Sequence, residues 1–326
     1  MRSKRITVDS TNTKVINVED YLGKLSTDLT SEEYHGLRGT YSSSQLKTML
    51  EDPELFYKSY ITKEIEKKEN TNFNVGTYFH TAVLEPEKLD LECAVFTGTR
   101  SGEKWRKFQE ENAGKCIITD GAELRDAEII IKATKESPIA MNLVNNSKPE
   151  VSAFAELFII SGEIYGFRNE ECFSLQPSGW VKTTGGYDEE QIKEFGFRMI
   201  VKVRADAYSE ILKTISDLKS TSVNACKIFD VTAAVAEYSY DLSASFYLDI
   251  FWLVTGIEFD RFIWIFASKK YQNCKSYVAS HKNILIGRAK WTKAVRLIEQ
   301  YERSNWSFED SLGEIGPTSY NLEWLN

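Results

Sequence analysis

Two aspartates and one lysine stand where they could hold a metal ion beside a phosphate. Asp206 lies in the segment VRADAYSE, and eleven residues later Asp217 opens the triplet Asp217-Leu218-Lys219. Carboxylate oxygens are the ligands that Mg²⁺ prefers, the carbonyl oxygen of Leu218 can add a further ligand, and an ammonium group stabilises negative charge on a phosphate. The spacing therefore predicts a magnesium site, with Mn²⁺ as a substitute, that cleaves phosphodiesters. Ordinary surface polarity is the alternative interpretation.

Two predicted strands position these residues. Residues 197–207 alternate between apolar and polar side chains, which is typical of a strand with one buried face. Residues 211–219 form the next predicted strand, and Asp217 and Lys219 share one of its faces because side chains alternate along a strand. If the two strands end side by side, Asp206 and Asp217 can point at the same ion.

The chain changes character along its length. Its first half contains mostly helical patterns, including residues 101–112 and 120–135, and its middle contains segments rich in β-branched and aromatic residues. Further helices are predicted at residues 241–255 and 283–304. This order predicts an α/β (α+β) fold in which a central mixed sheet is flanked by helices and the N-terminal half is helical.

The composition excludes several classes of protein. The 326 residues are 42% hydrophobic and 27% charged, which is typical of a globular protein. The five cysteines are scattered, so neither a disulfide scaffold nor a zinc ribbon is predicted, and a reducing cytoplasm fits best. No apolar run is long enough to span a membrane, and the opening MRSKRITVDSTNTK lacks the apolar core of a secretory signal.

Charge is distributed unevenly along the chain. The net charge is −8, yet residues 269–296 contain eight lysines or arginines and no acidic residue, and residues 100–107 form a smaller basic cluster. Such clusters are typical of DNA-binding surfaces, although a solvated helix face is the alternative. The residues expected to contact phosphates are Arg100, Lys104, Arg106, Arg288, Lys290 and Lys293.

Several segments of the chain occur in the order found in one nuclease family. From about Glu33 to the last predicted helix, the chain resembles the RecE-like exonucleases (exonuclease VIII) of the PD-(D/E)XK nuclease superfamily. Several motifs in one order form a more specific signal than any single motif. The segments that carry the resemblance are YHGLRGTYSSSQL, DPELFYKSYI, VGTYFHTAVLEPE, RSGEKWRKF, GKCIITDGAE, FAELF, VRADAYSE, SDLKSTS and YSYDLSASFYLD.

The resemblance implies a role for each residue that matches a family motif. Without it, His80 and Tyr247 read as packed core residues and Glu156 as an acid that faces solvent. The family helix usually reads Gln-x-x-x-Tyr, whereas this chain has the shorter Ser243 at the Gln position, which affects how substrate is held. The implied roles are metal ligands for His80, Asp206 and Asp217, the catalytic lysine for Lys219, a second-metal or water-positioning acid for Glu156, and the last-motif tyrosine, a DNA contact, for Tyr247.

The resemblance also organises the chain into segments. Residues 1–40 are expected to be a loosely structured N-terminal segment, and residues 41–326 a single nuclease domain with the PD-(D/E)XK core. Residues at about 161–196 are rich in glycine and turn residues, which indicates an inserted hairpin or loop.

The expected function is Mg²⁺-dependent DNA exonuclease activity. The resemblance implies 5′-to-3′ degradation of one strand from the ends of double-stranded DNA, which leaves a 3′ overhang for recombination by single-strand annealing. It also implies a ring-shaped homo-oligomer, a single-strand annealing protein as partner, and a phage or prophage gene expressed in a bacterial cytoplasm.

Two alternatives remain open at this point. One is a non-catalytic DNA-binding or assembly protein on a nuclease fold, and the other is an endonuclease or a RecB-type nuclease of the same superfamily. The sequence contains no P-loop pattern, so any helicase motor would be a separate chain.

Overall fold

The computed structural model describes residues 16–65, 71–184 and 186–308. None of the helices in these residues is long and apolar enough to cross a lipid bilayer. The helices are α1 (Ser31–Gly36), α2 (Ser43–Glu51), α3 (Pro53–Phe56), α4 (Thr71–Leu84), α5 (Leu89–Glu92), α6 (Gly102–Glu111), α7 (Ala122–Lys135), α8 (Pro138–Asn145), α9 (Glu189–Phe195), α10 (Ile228–Glu237), α11 (Tyr240–Thr255) and α12 (His281–Arg303), with 3₁₀ turns at Val18–Tyr21 and Pro86–Lys88 and a π turn at Tyr57–Ile61. The strands are β1 (Leu25–Ser26), β2 (Thr40–Tyr41), β3 (Cys93–Phe96), β4 (Cys116–Thr119), β5 (Lys148–Ile160), β6 (Glu163–Arg168), β7 (Glu171–Gln176), β8 (Gly179–Lys182), β9 (Phe197–Ser209), β10 (Thr214–Thr221), β11 (Arg261–Ser268) and β12 (Asn273–Val278).

Within the described residues, ten strands form one mixed sheet, and β3 and β4 form a separate parallel pair. Eight strands of the sheet follow the order β12-β11-β10-β9-β5-β6-β7-β8, while β1 pairs with β5 and β2 pairs with β9. The pair β10–β11 is parallel, and β9 is antiparallel to both β5 and β10. The predicted α/β fold, with a central mixed sheet flanked by helices and a helical N-terminal half, is therefore confirmed.

Helices cover both faces of the sheet. On one face, α2, α11 and α12 pack over the sheet around a core that includes Phe246, Phe251 and Trp291. On the opposite face, α4, α7 and α8 cover β10 to β12 and bury Phe79 and Ile130. Strands β9 and β10 are thus held between two cores, so the helices fix where their side chains point.

The N-terminal strap, residues 16–41, lies against the sheet. Its strand β1 pairs with an edge of β5 and its strand β2 with an edge of β9, so the strap crosses the sheet face between them. Tyr34 of the strap is 4% exposed and packs edge-on against Phe154 of β5. The prediction of a loosely structured segment is therefore wrong for residues 16–40, because backbone pairing and aromatic packing hold them. Residues 1–15 lie outside the described residues.

The segment predicted as an inserted hairpin or loop, residues 161–196, is an integral part of the sheet. Its strands β6, β7 and β8 extend the sheet beyond β5, and its helix α9 buries Ile192 against Phe158 and Ile160. A Cβ atom on Gly166 would lie 2.5 Å from Leu253 Cδ2, so glycine allows β6 to approach α11 closely. The glycine-rich composition reflects this close packing as well as the turns.

Candidate active site

The ends of β9 and β10 separate and leave a gap in the sheet. Their ladder runs from Thr214 opposite Ser209 to Ser216 opposite Ala207. Beyond it, Asp206 Oδ2 accepts a hydrogen bond of 2.7 Å from the backbone N–H of Leu218. The side chain of Asp206 therefore reaches across the gap towards the part of β10 that carries the Asp-Leu-Lys triplet.

His80 approaches the same gap from α4. Its Nε2 atom lies 3.0 Å from the carbonyl oxygen of Leu218, and its Nδ1 atom lies 3.6 Å from Asp206 Oδ2. A carbonyl oxygen only accepts hydrogen bonds, so Nε2 carries the proton and Nδ1 keeps its lone pair. That lone pair is available to a metal ion beside Asp206, and the Leu218 carbonyl retains a second lone pair as well.

Glu150 completes a cluster of three potential metal ligands. One atom each from His80, Glu150 and Asp206 lies within 4.8 Å of the others. Glu150 falls between the pairs Pro149–Ala207 and Val151–Ala205, opposite Asp206 in the antiparallel register. Its φ of +50° places the backbone in the left-handed region, which is uncommon for a residue other than glycine.

The two carboxyl groups of this cluster resist ionisation together. Burial raises the pKa of Glu150 to about 8, with the nearby charge of Asp206 as the next cause. Burial also raises the pKa of Asp206, although His80 opposes this effect. Two acids that are both difficult to ionise in one buried place are typical of a site that a cation completes, because the cation removes their repulsion.

Asp217 and Lys219 lie beside this cluster on β10. The Lys219 ammonium is 2.6 Å from Asp217 Oδ1, while Asp217 Oδ2 is buried and lacks a hydrogen-bond partner among the described residues. Burial alone would lower the pKa of Lys219, but the charges of Asp217 and Asp206 outweigh burial and raise it. Lys219 is therefore a protonated cation that can stabilise negative charge, and not a general base.

These residues fit a hard divalent cation. The set comprises one imidazole nitrogen, the carboxylates of Glu150 and Asp206, and the unpartnered buried oxygen of Asp217. Oxygen-rich sets of this kind suit Mg²⁺ and Mn²⁺, and an imidazole nitrogen is accepted more readily by Mn²⁺ than by Mg²⁺.

The N-terminal strap walls a cavity of about 330 Å³ above the cluster. Residues 27–31 and Tyr34 line one side of the cavity, and His80, Glu150 and Asp206 line the other. The strap is bound to β9 by cations, since Lys202 donates to the carbonyl of Tyr34 at 2.6 Å and Arg204 donates to the carbonyl of Leu29 at 2.8 Å.

The structure places Glu156 outside the cluster, which corrects the predicted role of this residue. Glu156 forms ion pairs on the surface with Arg198, which also binds Glu19. It lies six residues further along β5 than Glu150, or about 20 Å in an extended strand. Sequence reasoning missed Glu150, although one signal was present. In an antiparallel pair the start of residues 151–160 meets the end of residues 197–207, and Glu150 immediately precedes that start.

Tyr247 borders the cavity from α11. Its ring packs edge-on against Phe262, and burial raises the pKa of its hydroxyl well above the ordinary value. A hydrogen bond with Ser43 of α2 partly offsets that effect. Ser243, one turn earlier in α11, is 8% exposed. Tyr247 thus combines the packed position and the site position that the sequence left as alternatives.

Two basic residues predicted to face DNA on α12 are bound within the protein. Arg288 is 8% exposed and pairs with Asp249 through two bonds of 2.9 and 2.6 Å, so the prediction that Arg288 faces outward is wrong. The Lys290 ammonium lies 2.8 Å from both carboxylate oxygens of Asp241. Lys293 is exposed. The helix face that carries Trp291 also carries Arg288, because a buried carboxylate on α11 neutralises its charge.

The second basic cluster is divided in a similar way. Arg100 is partly buried, donates to Glu123 at 2.7 Å and to the carbonyl of Ile117 at 2.9 Å, and so supports the local fold. Lys104 and Arg106 lie on α6 and are exposed. The charges of these two residues are therefore the ones in this cluster best placed to meet a phosphate.

Comparison with known proteins gives one informative similarity. No family model matches the chain, and no curated protein matches it. Among solved structures, a protein from Eubacterium rectale that carries the provisional name of exonuclease is similar with a TM-score of 0.53 and 15% sequence identity. The match covers 91% of this chain and 98% of that chain. At this identity the similarity shows a shared fold over nearly the whole length, and membership of the RecE-like family stays a prediction.

Proposed function

We propose that the protein is a divalent-metal-dependent DNA exonuclease. The observation that carries the proposal is the meeting of His80, Glu150 and Asp206 within 4.8 Å, beside the ion pair of Asp217 with Lys219. A metal-binding set next to a permanently charged lysine is what hydrolysis of a phosphodiester requires. The fold shared with a protein provisionally named an exonuclease supports the same conclusion.

The residues of the site divide the work of the reaction. His80 Nδ1, Glu150, Asp206 and Asp217 Oδ2 would hold Mg²⁺ or Mn²⁺, which supplies positive charge to the phosphate and acidifies a water molecule. Lys219 stabilises the charge that develops on the phosphate, since its pKa keeps it protonated. The carbonyl of Leu218 holds the His80 ring so that Nδ1 faces Asp206.

The shape of the site favours a strand end over the interior of a duplex. The cavity of about 330 Å³ is walled by the N-terminal strap. The major groove of B-DNA alone is about 12 Å wide, so an intact duplex exceeds this cavity. We therefore include digestion from DNA ends in the proposal. The resemblance of the sequence to RecE-like exonucleases supports the further elements: 5′-to-3′ polarity, a 3′ overhang, a ring-shaped oligomer, and an annealing partner in a phage-infected or lysogenic bacterium.

The test is digestion of matched linear and covalently closed circular duplexes with Mg²⁺, with Mn²⁺ and with EDTA. The proposal predicts loss of the linear DNA only, dependent on the metal. Digestion of the circle would identify an endonuclease, and DNA binding without digestion in either metal would support the non-catalytic alternative. Labels at the 5′ or 3′ end of one strand determine the polarity.

A further inference from the structure

Two tyrosine rings extend from Lys219 to the protein surface at the junction of α10 and α11. The rings of Tyr238 and Tyr240 have their centres 5.6 Å apart and are inclined by 32°. The centre of the Tyr240 ring lies 5.2 Å from the Lys219 ammonium. Tyr238 is 52% exposed, whereas Tyr240 is partly buried against Phe266. The pair forms a short aromatic surface that starts at the proposed site and ends in solvent.

A second ammonium group faces the same ring. Lys47 of α2 has its nitrogen 5.2 Å from the centre of Tyr240, the same distance as Lys219. Burial and the charge of Lys219 lower the pKa of Lys47 to about 8, although Asp217 opposes this. Two lysines that repel one another beside an aromatic ring are favourable partners for an anion, because an anion between them removes the repulsion.

The turn that presents the tyrosine pair is braced from behind. Ser239, between the two tyrosines, has φ 46° and ψ 46°, a left-handed conformation that a residue with a side chain adopts only under constraint. The constraint comes from α12. Lys290 binds both carboxylate oxygens of Asp241 at 2.8 Å and approaches Ser239 Oγ at 3.4 Å. A Cβ atom on Gly287 would lie 2.0 Å from the carbonyl oxygen of Asp241, so α12 touches the turn directly.

We propose that Tyr238, Tyr240 and Lys47 form a nucleotide subsite beside the phosphate that is cleaved. The base or sugar of a terminal nucleotide stacks on the tyrosine pair, and a phosphate lies between Lys47 and Lys219. Every base has an aromatic face, so the subsite accepts a strand end of any sequence. The inference rests on the proposed function in placing DNA at this site. It also assigns to Lys290 the role of supporting the subsite through Ser239 and Asp241.

Binding of labelled single strands tests the subsite. Short oligonucleotides with 2-aminopurine at the 5′ or the 3′ terminus are titrated in Ca²⁺ or EDTA, so that binding is measured without cleavage. The fluorescence of 2-aminopurine should fall on binding for one of the two probes, because stacking quenches it. Tyr238→Ala should abolish that quenching and weaken binding by about fivefold or more, the lower range for loss of one base–aromatic stack. Tyr238→Phe keeps the ring and should restore both readouts.

The matched control is Phe195→Ala. Phe195 is 60% exposed, like Tyr238, and it ends α9 beside Gly196, which contacts Phe158 and Ile160 at the far end of β5. Ile160 is ten residues from Glu150 along the strand, or about 33 Å. Phe195→Ala should therefore leave binding and quenching at the parent values. Lys47→Gln should reduce affinity and flatten its salt dependence by about 0.7 unit in the logarithmic slope, whereas Lys47→Arg should not.

The outcomes separate this inference from the proposed function. Quenching and affinity in Tyr238→Ala equal to those of the parent would overturn the subsite, as would quenching of neither probe by the parent. Equal losses in Tyr238→Phe and Tyr238→Ala would show that the hydroxyl and not the ring matters, which also overturns it. A parent that binds with quenching but fails to cut linear DNA in Mg²⁺ and Mn²⁺ would instead reject the exonuclease proposal and leave the subsite standing.

Discussion

Replacing Glu150 by Gln should stabilise the metal-free protein and remove its response to metal. In the folded protein the pKa of Glu150 is raised to about 8 from 4.5, chiefly by burial. The unfolded chain ionises this carboxyl near its ordinary pKa, so between these two values the unfolded state loses a proton that the folded state keeps. The folded protein therefore loses stability as pH rises from about 4.5 to about 8.

The magnitude follows from the size of this shift. A difference of about 3.5 units at about 1.36 kcal/mol per unit sets an upper limit of about 5 kcal/mol. About 30% of the Glu150 side chain is exposed, so water screens part of the effect and we expect ~2 kcal/mol. Gln cannot ionise, so Glu150→Gln should exceed the parent by this amount at about pH 8 and match it within experimental error at about pH 4.

The assay is urea denaturation in EDTA across this pH range, repeated with Mg²⁺ and Mn²⁺. The metals should stabilise the parent and not Glu150→Gln, and their apparent affinity for the parent should fall about tenfold per pH unit below about 8, because binding displaces one proton. Glu156→Gln is the matched control on the same strand. It removes only a surface ion pair with Arg198, so its effect should be at most about 1 kcal/mol and independent of metal.

Two results would refute this reasoning. If the difference between Glu150→Gln and the parent is the same at about pH 4 and about pH 8, the carboxyl of Glu150 does not resist ionisation in the fold. If Glu150→Gln retains the stabilisation by Mn²⁺ that the parent shows, Glu150 does not bind the metal, and the cluster needs another ligand.

Three further predictions concern charged residues. Lys219→Met should lower the rate of cleavage of saturating linear DNA by about a hundredfold or more with the fold intact by circular dichroism, and a rate equal to the parent's would remove Lys219 from the site. Arg288→Met should destabilise the fold by about 3–5 kcal/mol in urea, because it leaves Asp249 buried without its partner; an unaffected unfolding midpoint would contradict this. Replacing Lys104 and Arg106 together by Gln should flatten the salt dependence of duplex binding in Ca²⁺ by about one unit for each phosphate that the variant no longer neutralises, and an unchanged slope would mean that this face of α6 is only solvated.

Acids that look equivalent in the sequence became distinguishable only through strand register. Glu150 and Glu156 both precede or lie in the strand predicted at residues 151–160, and the resemblance favoured Glu156. The antiparallel register with β9 places Glu150 opposite Asp206, whereas Glu156 lies opposite Ile200 and pairs with Arg198. A shift of register by a few residues would exchange their surroundings, and no local pattern fixes that register.

Positive charge was a poor guide to the surface of α12 for a related reason. The run of basic residues identified Arg288 as exposed, but its partner Asp249 lies 39 residues earlier on α11. A buried arginine is acceptable when a carboxylate satisfies it, and that pairing depends on how the two helices pack. The polar composition of the N-terminal strap misled in the same way, since backbone pairing with β5 and β9 orders the strap.

The sequence by itself determined which side chains share a strand face and which residue types could bind a metal. Alternation in residues 197–207 located β9, and the same period placed Asp217 and Lys219 on one side of β10, where their charged groups are 2.6 Å apart. These features are local, because the period of two belongs to any extended chain. Only the tertiary structure brought Glu150 to His80 and Asp206 and turned Arg288 inward, because strand register and the pairing of buried charges depend on packing between segments that are distant in the chain.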